Sequence, residues 1–434
     1  MRASPGACDD TIYARATGSG RGGIAIIRIS GPQAGALLDG LSRPRPPPRQ
    51  ASLRTLRSPD GHILDHGIVL WFPGPSSYTG EDCVELHLHA GPAILDAMAE
   101  ALQAAGGRPA GPGEFTQRAF LKGRIDLIEA EGLADLIEAE TEAQRRQALA
   151  QSRGALSALY AGWSTALRRL VAQQEAYIDF PDEVQSPGSD HLDGEMASLE
   201  GIFLTHLKEG QRGQALRRGL RVAVTGVPNV GKSSLVNVLA GRDVSIVSEG
   251  PGTTRDVVES RFVLGGAPLT LIDTAGIRDS EDELEREGVR RAHASVADAD
   301  VVLRVTCGNE AGPILETGQI IIDVSNKVDL YSPRPRSIGV SALTGEGIET
   351  LRAALEQAIE RLTTGSSLPP FTRARHRDSV EKSLAHLRVA RAAAMPELRG
   401  EELRLAMHEL GRLTGAVGVE DILSDIFSTF CIGK

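Results

Sequence analysis

The sequence predicts a multidomain chain: an α+β N-terminal domain, then an all-α helical domain, itself interrupted by an inserted α/β domain of the P-loop GTPase type. Three observations carry that reading. Short apolar runs punctuated by Gly and Pro fill residues 1–120, and stretches rich in Ala, Leu, Glu, Gln and Arg flank the middle of the chain on both sides. Between those stretches an apolar run ends in Gly226-Val-Pro-Asn-Val-Gly-Lys-Ser233. At 434 residues the chain is too long for one ordinary domain, and 41% hydrophobic residues suffice for several cores.

In chain order, residues 1–120 read as α+β because Ile24 to Ile29, Ile68 to Phe72 and Val84 to His89 are short β-like runs. Residues 121–215 form the first part of the helical domain, with Leu133, Leu136 and Ile137 at helical spacing and a further helix around Met196 to Leu207. Asp-Leu-Ile-Glu-Ala-Glu occurs at Asp126 and again at Asp135, a separation of about two and a half helical turns, which reads as helix composition and not as a fold repeat. Residues 216–363 form the inserted domain. Helical composition returns over 364–434, through Val380 to Ala394 and Glu401 to Leu413, so the insert can push on its host at both junctions.

The insert carries the parts of a guanine-nucleotide switch in order. Asn229, Val230, Gly231, Lys232, Ser233 and Ser234 belong to a phosphate cradle, whose amides wrap phosphates while Lys232 reaches the outer ones and Ser233 ligates Mg2+. Thr253 and Thr254 follow in a segment where a threonine hydroxyl can close on the metal only when a third phosphate is present. Asp273 and Gly276 end the run from Leu269 to Ile272, placing a carboxylate behind the metal and an amide near the outer phosphate. Asn326, Lys327 and Asp329 close the strand Ile320 to Val324, and Asp329 accepts the two hydrogens that guanine offers and adenine does not. Ser341 and Ala342 supply a base-edge loop.

The hydrolytic water is not accounted for so simply. Ile277 stands where small switch GTPases commonly place a water-orienting glutamine, and it has no side-chain hydrogen bond to give. Arg278, Asp279, Glu281, Asp282, Glu283 and Glu285 either reach back to that water or form a solvated acidic helix. Asn229 is either a ligand for a monovalent cation or a turn residue.

Cys8, Cys83, Cys307 and Cys431 show no paired spacing, so neither a disulfide framework nor a zinc site is expected, and the compartment reads as reducing. With no apolar signal core and no membrane-length run, the chain is expected to be soluble and cytoplasmic. A net charge of −10 argues against indiscriminate nucleic-acid coating. Arg145-Arg146, Arg168-Arg169, Arg217-Arg218 and Arg373 to Arg377 remain as solvated helix faces or RNA contacts. Cys431, beside Lys434 in a terminal tail, is an accessible thiol.

Taken together, Asp10-Thr11-Ile12, Gly20 to Pro32, Ser77 to Asp82, Pro112 to Thr116 with Arg118 to Leu121, Asp179-Phe180-Pro181, the nucleotide motifs and the Cys431–Lys434 tail resemble the MnmE (TrmE) family of tRNA modification GTPases over essentially the full length. The resemblance implies an N-terminal domain like folate-dependent aminomethyl carriers, which mediates a homodimer and binds 5-formyl- or 5,10-methylene-tetrahydrofolate through Arg28, Glu85, Arg124 and Lys434. The family usually has lysine at Arg124. It implies K+ at Asn229, Ser248, Gly250 and Thr253, Mg2+ at Ser233 and Thr254, and Glu285 as the residue that polarises water. It implies a flavoprotein partner, MnmG (GidA), in a heterotetramer, bringing FAD and NADH, with an aminomethyl or carboxymethylaminomethyl group added at carbon 5 of the wobble uridine and Cys431 important for that modification.

Two features depart from the family pattern. Only Cys307 to Gln319 separates two strands that normally enclose a crossover helix, so the insert looks trimmed, with the nucleotide site retained and one sheet face less covered. His89-Ala90-Gly91 replaces His-Gly-Gly, which matters only if that backbone needs positive φ. Two other classes stay open: a ribosome-assembly GTPase, against which the missing KH-type Gly-x-x-Gly domain counts, and a GTP-regulated folate-dependent aminomethyl transferase acting on another acceptor.

Overall fold

The computed structural model describes residues 10–18, 20, 22–179, 189–241, 259–273, 296–308, 319–364, 368–418 and 420–433. They form two compact units, one of residues 1–134 with 411–434 and one of residues 135–410.

The first unit is built on a six-stranded sheet of β1 (Ile12–Arg15), β2 (Ile24–Ser30), β3 (Ser52–Arg57), β4 (Ile63–Phe72), β5 (Cys83–His89) and β6 (Arg108–Pro109), in the order β3-β4-β5-β2-β1-β6. All neighbours are antiparallel except β1 and β6. Alternation decides the faces. Ile27, Ile29, Val69, Trp71, Val84 and Leu86 turn to one side, where helices Ala34–Leu41 and Pro92–Ala104 bury them with Leu38, Met98 and Leu102. The intervening residues, including Arg28 and Glu85, turn to the other side. Ala90 is not among the residues with positive φ, so the substitution in His89-Ala90-Gly91 costs no backbone strain. Around the helix Leu127–Glu138, Phe120, Leu127, Ala130, Phe427 and Phe430 form a second core that holds the C-terminal residues in this unit.

In the second unit the helical stretch after residue 121 is not continuous. After helix Leu127–Glu138 come Glu142–Ser152, Ala155–Asp179 and Ser189–Arg218. Thr141 is the reason for the first break, because its hydroxyl accepts from the Gln144 amide while the Gln144 side chain accepts from the Thr141 amide. That reciprocal cap satisfies amides the helix start would otherwise leave orphaned. Thr141→Ala is expected to cost about 1 kcal/mol of stability, read as a lower urea midpoint at unchanged slope. Tyr160, Trp163, Phe203 and Phe371 close the helical core around His206, which is 1% exposed.

The insert is a sheet of β7 (Leu220–Thr225), β8 (Glu259–Leu264), β9 (Ala267–Asp273), β10 (Val301–Thr306), β11 (Ile320–Ser325) and β12 (Ile338–Gly339), ordered β12-β11-β10-β7-β9-β8. It is parallel throughout except for the β8–β9 hairpin, whose Gly265-Gly266 turn has φ of 57° and 77°. Two adjacent positive φ values are what a tight hairpin turn requires and what Gly permits. The shortened connection does not disturb pairing: β10 and β11 lie side by side in register from Val301↔Ile320 to Thr306↔Ser325. Ile320, Ile321 and Ile322 stay half-buried, whereas Val301, Val302 and Leu303 are fully buried. Among the described residues no helix is long and apolar enough to cross a membrane.

Candidate functional site

The phosphate loop lies between β7 and the helix Lys232–Gly241. Its glycines are dictated by crowding: a Cβ on Gly226 would stand 2.2 Å from the Val305 carbonyl oxygen, and one on Gly231 would stand 2.4 Å from the Asn326 side-chain nitrogen. Asn229 takes φ of 65°, a left-handed conformation that Asn tolerates better than most residues. The Lys232 ammonium is buried and donates to the carbonyls of Gly226 (2.8 Å) and Val227 (3.1 Å), while Ser233 and Ser234 are exposed at the helix start. Amides at a helix N-terminus with a lysine folded over the loop make a site for phosphate.

Parallel pairing brings the residues expected to meet the base to the same end of the sheet as the phosphate loop. Asn326, 2% exposed, donates to the Val230 carbonyl (2.8 Å) and accepts from the Ala342 amide (3.1 Å), so one side chain fixes phosphate loop and base-edge loop together. Lys327 donates to the Asn229 carbonyl at 2.7 Å. Asp329 is exposed and accepts from the Ser341 hydroxyl at 2.6 Å, which orients the carboxylate. A Cβ on Gly347 would sit 1.9 Å from the Gly339 carbonyl oxygen, so only glycine lets this loop close. The Val224↔Asp273 register places the Asp273 backbone beside the strand that feeds the phosphate loop.

A second site lies on the other face of the N-terminal sheet, beside Tyr78 and the helix Glu114–Leu121. The β2–β5 register sets Arg28 opposite Glu85, and the guanidinium donates to Glu85 at 2.9 and 3.1 Å. The Arg28 guanidinium lies 5.3 Å from the Tyr78 ring centre and 5.8 Å from that of Phe115. Tyr78 donates or accepts a 2.8 Å bond with Thr116, and burial pushes its phenol up, so it stays neutral. Gly80 carries φ of 79° with the Arg124 stem against it, so Arg124, which follows the helix Glu114–Leu121, packs against the loop that carries Tyr78.

Beneath this site, Arg118, 2% exposed, joins Asp10, Glu81 and Glu114, and Arg108 joins Asp10 and Glu114. Burial alone would raise the Glu114 carboxyl, but Arg108, the Gly111 amide and Arg118 outweigh it and hold the group below its ordinary value. The tail is beside the same elements. The Cys431 carbonyl accepts from the Gly113 amide, Ile432 bridges to Pro112, and Gly433 packs against the Arg15 carbonyl.

These two sites occur in a chain with full-length relatives. The family description "GTP-binding protein TrmE N-terminus" matches residues 11–124, and "MnmE helical domain" matches residues 127–431. The chain belongs to the MnmE family. Curated relatives include the tRNA modification GTPases MnmE of Gluconacetobacter diazotrophicus, 55% identical over 98% of both chains, and of Granulibacter bethesdensis, 50% identical over 98% of this chain and 99% of the relative. That of Maricaulis maris is 48% identical over the same shares.

Within this MnmE chain the structure brings together Asn229, Val230, Gly231, Lys232, Ser233, Asn326, Lys327, Asp329, Ser341 and Ala342 around the phosphate loop, and Arg28 with Glu85 on the N-terminal sheet. Ser248, Gly250, Thr253, Thr254, Gly276, Ile277, Glu285 and Lys434, with the Asp273 side chain, lie outside the described residues. Cys431 is exposed. The basic pairs are the main difference from expectation: Arg217 and Arg373 both donate to Asp135, at 2.7 and 2.8 Å, and so face an internal carboxylate. Asp135 was hidden in the repeated hexapeptide. Its twin Asp126 caps the helix start by accepting from the Glu129 amide, a different job for the same local sequence.

Proposed function

We propose that the chain is the GTP-hydrolysing subunit of a tRNA wobble-uridine modification complex, adding an aminomethyl or carboxymethylaminomethyl group at carbon 5. The observation that carries this reading is the coexistence of a guanine-nucleotide site and a separate charged, aromatic-flanked site at Arg28 and Glu85, in a chain whose relatives are named tRNA modification GTPases. A pterin offers hydrogen-bond donors and acceptors on its edge and a flat π face, which fits a carboxylate, a guanidinium and two aromatic rings. Bound there, a tetrahydrofolate supplies the one-carbon unit, with glycine or ammonium as the source of nitrogen. Arg28 and Glu85 would orient the ring edge, Arg124 and Lys434 would bind its anionic end, and the tail would hold Cys431 beside the site.

In the insert, Lys232 and the loop amides bind the phosphates and Asp329 selects guanine. Mg2+ is assigned to Ser233 and Thr254, and K+ to Asn229, Ser248, Gly250 and Thr253. Glu285 is assigned to hold the attacking water; a Glu285→Ala protein that hydrolyses GTP at the parental rate would remove it from the mechanism. The chain would act as a homodimer with the flavoprotein MnmG, which brings FAD and NADH. The test is mass spectrometry of nucleosides from total tRNA of cells lacking the protein, with and without the gene restored. Loss and recovery of the carbon-5 modification is the expected result, and an unchanged tRNA profile would exclude the reading.

A further inference from the structure

We propose that Asp135 is a positioning residue that couples the nucleotide cycle to the helical domain. The proposal rests on the reading that GTP hydrolysis drives tRNA modification. The insert has two covalent connections to its host, and the structure ties both to this one carboxylate. The inbound connection is the helix Ser189–Arg218, which passes through Gly219 into β7 and so directly to the phosphate loop. The outbound connection returns over residues 368–373. Asp135, 8% exposed, accepts from Arg217 on the first and Arg373 on the second.

The two connections are also packed on each other. A Cβ on Gly210 would fall 1.9 Å from the Phe371 ring, and one on Gly213 would fall 2.5 Å from the Phe371 carbonyl oxygen. These glycines of the inbound helix therefore form the groove in which the outbound segment lies, and Phe371 is fully buried. Helix Glu142–Ser152 reinforces both sides: Gln144 donates to the carbonyls of Leu216 and Arg217, Gln147 donates to that of Gly213, and Thr372 donates to Gln151.

Adjacent arginines then pull in opposite directions. Arg217 holds Asp135 of the helical part, while Arg218 donates to Asp300, whose other oxygen accepts from the Arg221 amide at the start of β7. Asp300 immediately precedes β10, and the far end of β10 presents the Val305 carbonyl to Gly226 of the phosphate loop. A displacement of β7 or β10 therefore reaches the helical part at Arg217, and the Asp135 carboxylate converts it into a pull on the outbound segment. Removing a buried charged partner changes such a junction more than removing an exposed one.

The test is Asp135→Asn in the full-length chain, which keeps the side-chain shape and removes the charge. GTP turnover of the purified protein is expected to stay within about twofold of the parent, while the modified wobble nucleoside in cells carrying only this variant falls about tenfold or more. Asp135→Glu is expected to restore part of the modification. Arg373→Gln, which breaks the outbound bond to Asp135 and leaves that of Arg217, should separate the two activities in the same sense, and serves if Asp135→Asn does not fold. Unchanged modification, or equal falls in turnover and modification, would overturn the proposal. The unaltered gene is restored in parallel: if it brings back no modification, the tRNA reading fails and the coupling falls with it.

Discussion

Asp329→Asn is expected to turn the chain from a guanine to a xanthine nucleotide binder. The carboxylate stands exposed at the end of the loop after β11 and is oriented by the Ser341 hydroxyl at 2.6 Å, so its acceptors are held where a base edge can meet them. Guanine offers a ring N–H and an amino N–H in parallel, and a carboxylate accepts both. An amide replaces one of those acceptors with a donor, which opposes the guanine amino group but meets the carbonyl that xanthine carries there. Two hydrogen bonds to a charged group contribute about 1.5–3 kcal/mol each, so GTP affinity should fall by at least about a hundredfold while xanthosine triphosphate gains affinity. The phosphate loop is left intact, because Lys232, Asn326 and Lys327 bond to its carbonyls without involving Asp329. Competition of both nucleotides against a fluorescent GDP analogue reads the exchange. Retained GTP affinity, or no gain for the xanthine nucleotide, would remove Asp329 from base recognition.

The loops of the candidate nucleotide site were legible because they sit on short contiguous motifs with strict backbone requirements. Gly226, Gly231 and Gly347 are required by contacts under 2.5 Å from a Cβ, and such a requirement leaves a mark in sequence. What the motifs do not reveal is how they are bound to one another. That Asn326 joins two loops, and that Lys327 reaches the Asn229 carbonyl, follows only from the parallel register of β7, β10 and β11. The pairing of Arg28 with Glu85 is hidden for the same reason, since it is a cross-strand neighbour relation between residues far apart in the chain. In those cases the sequence names the residues without showing that they touch.

The junction residues were less legible. Arg217 and Arg373 look like solvated or RNA-facing charges because an arginine on a helix surface has the same local sequence whether its partner is water or a carboxylate across the fold. Asp135 decides between those readings, and it shares its hexapeptide with Asp126, a helix cap. The helical breaks fall between these extremes. Thr141 and Gln144 spell a cap in sequence, whereas the bend at Gly154, φ 82°, is visible only as one glycine among many.

His206 gives the helical part an acid-sensitive core. Burial, with a smaller contribution from His376, pushes its imidazole down to about 4, against the opposing effect of Glu209. The ring is 1% exposed, sits edge-on to Trp163, Tyr160 and Phe371, and shares a 3.0 Å bond between its Nε2 and the Tyr160 hydroxyl. Its Nδ1 has no partner among the described residues, so a second ring proton would have nothing to donate to. Unfolded, the same group titrates near 6.5. Between those values the unfolded chain binds the proton and the folded one does not, so stability is complete above about pH 6.5 and is lost as the pH falls toward about 4. The loss should reach about 2 kcal/mol at pH 5 and about 3 kcal/mol below pH 4. Trp71 and Trp163 are the two tryptophans of the chain, so Trp71→Phe leaves Trp163 as the reporter beside His206. In that background, urea melts followed by Trp163 fluorescence at pH 7.5 and pH 5 should show the fall in midpoint. His206→Phe, which keeps an aromatic ring but cannot titrate, should flatten the difference at the expense of the Tyr160 bond. An equal fall with Phe at 206 would assign the acid sensitivity to other groups, because His206 is the imidazole whose charging this core cannot accommodate.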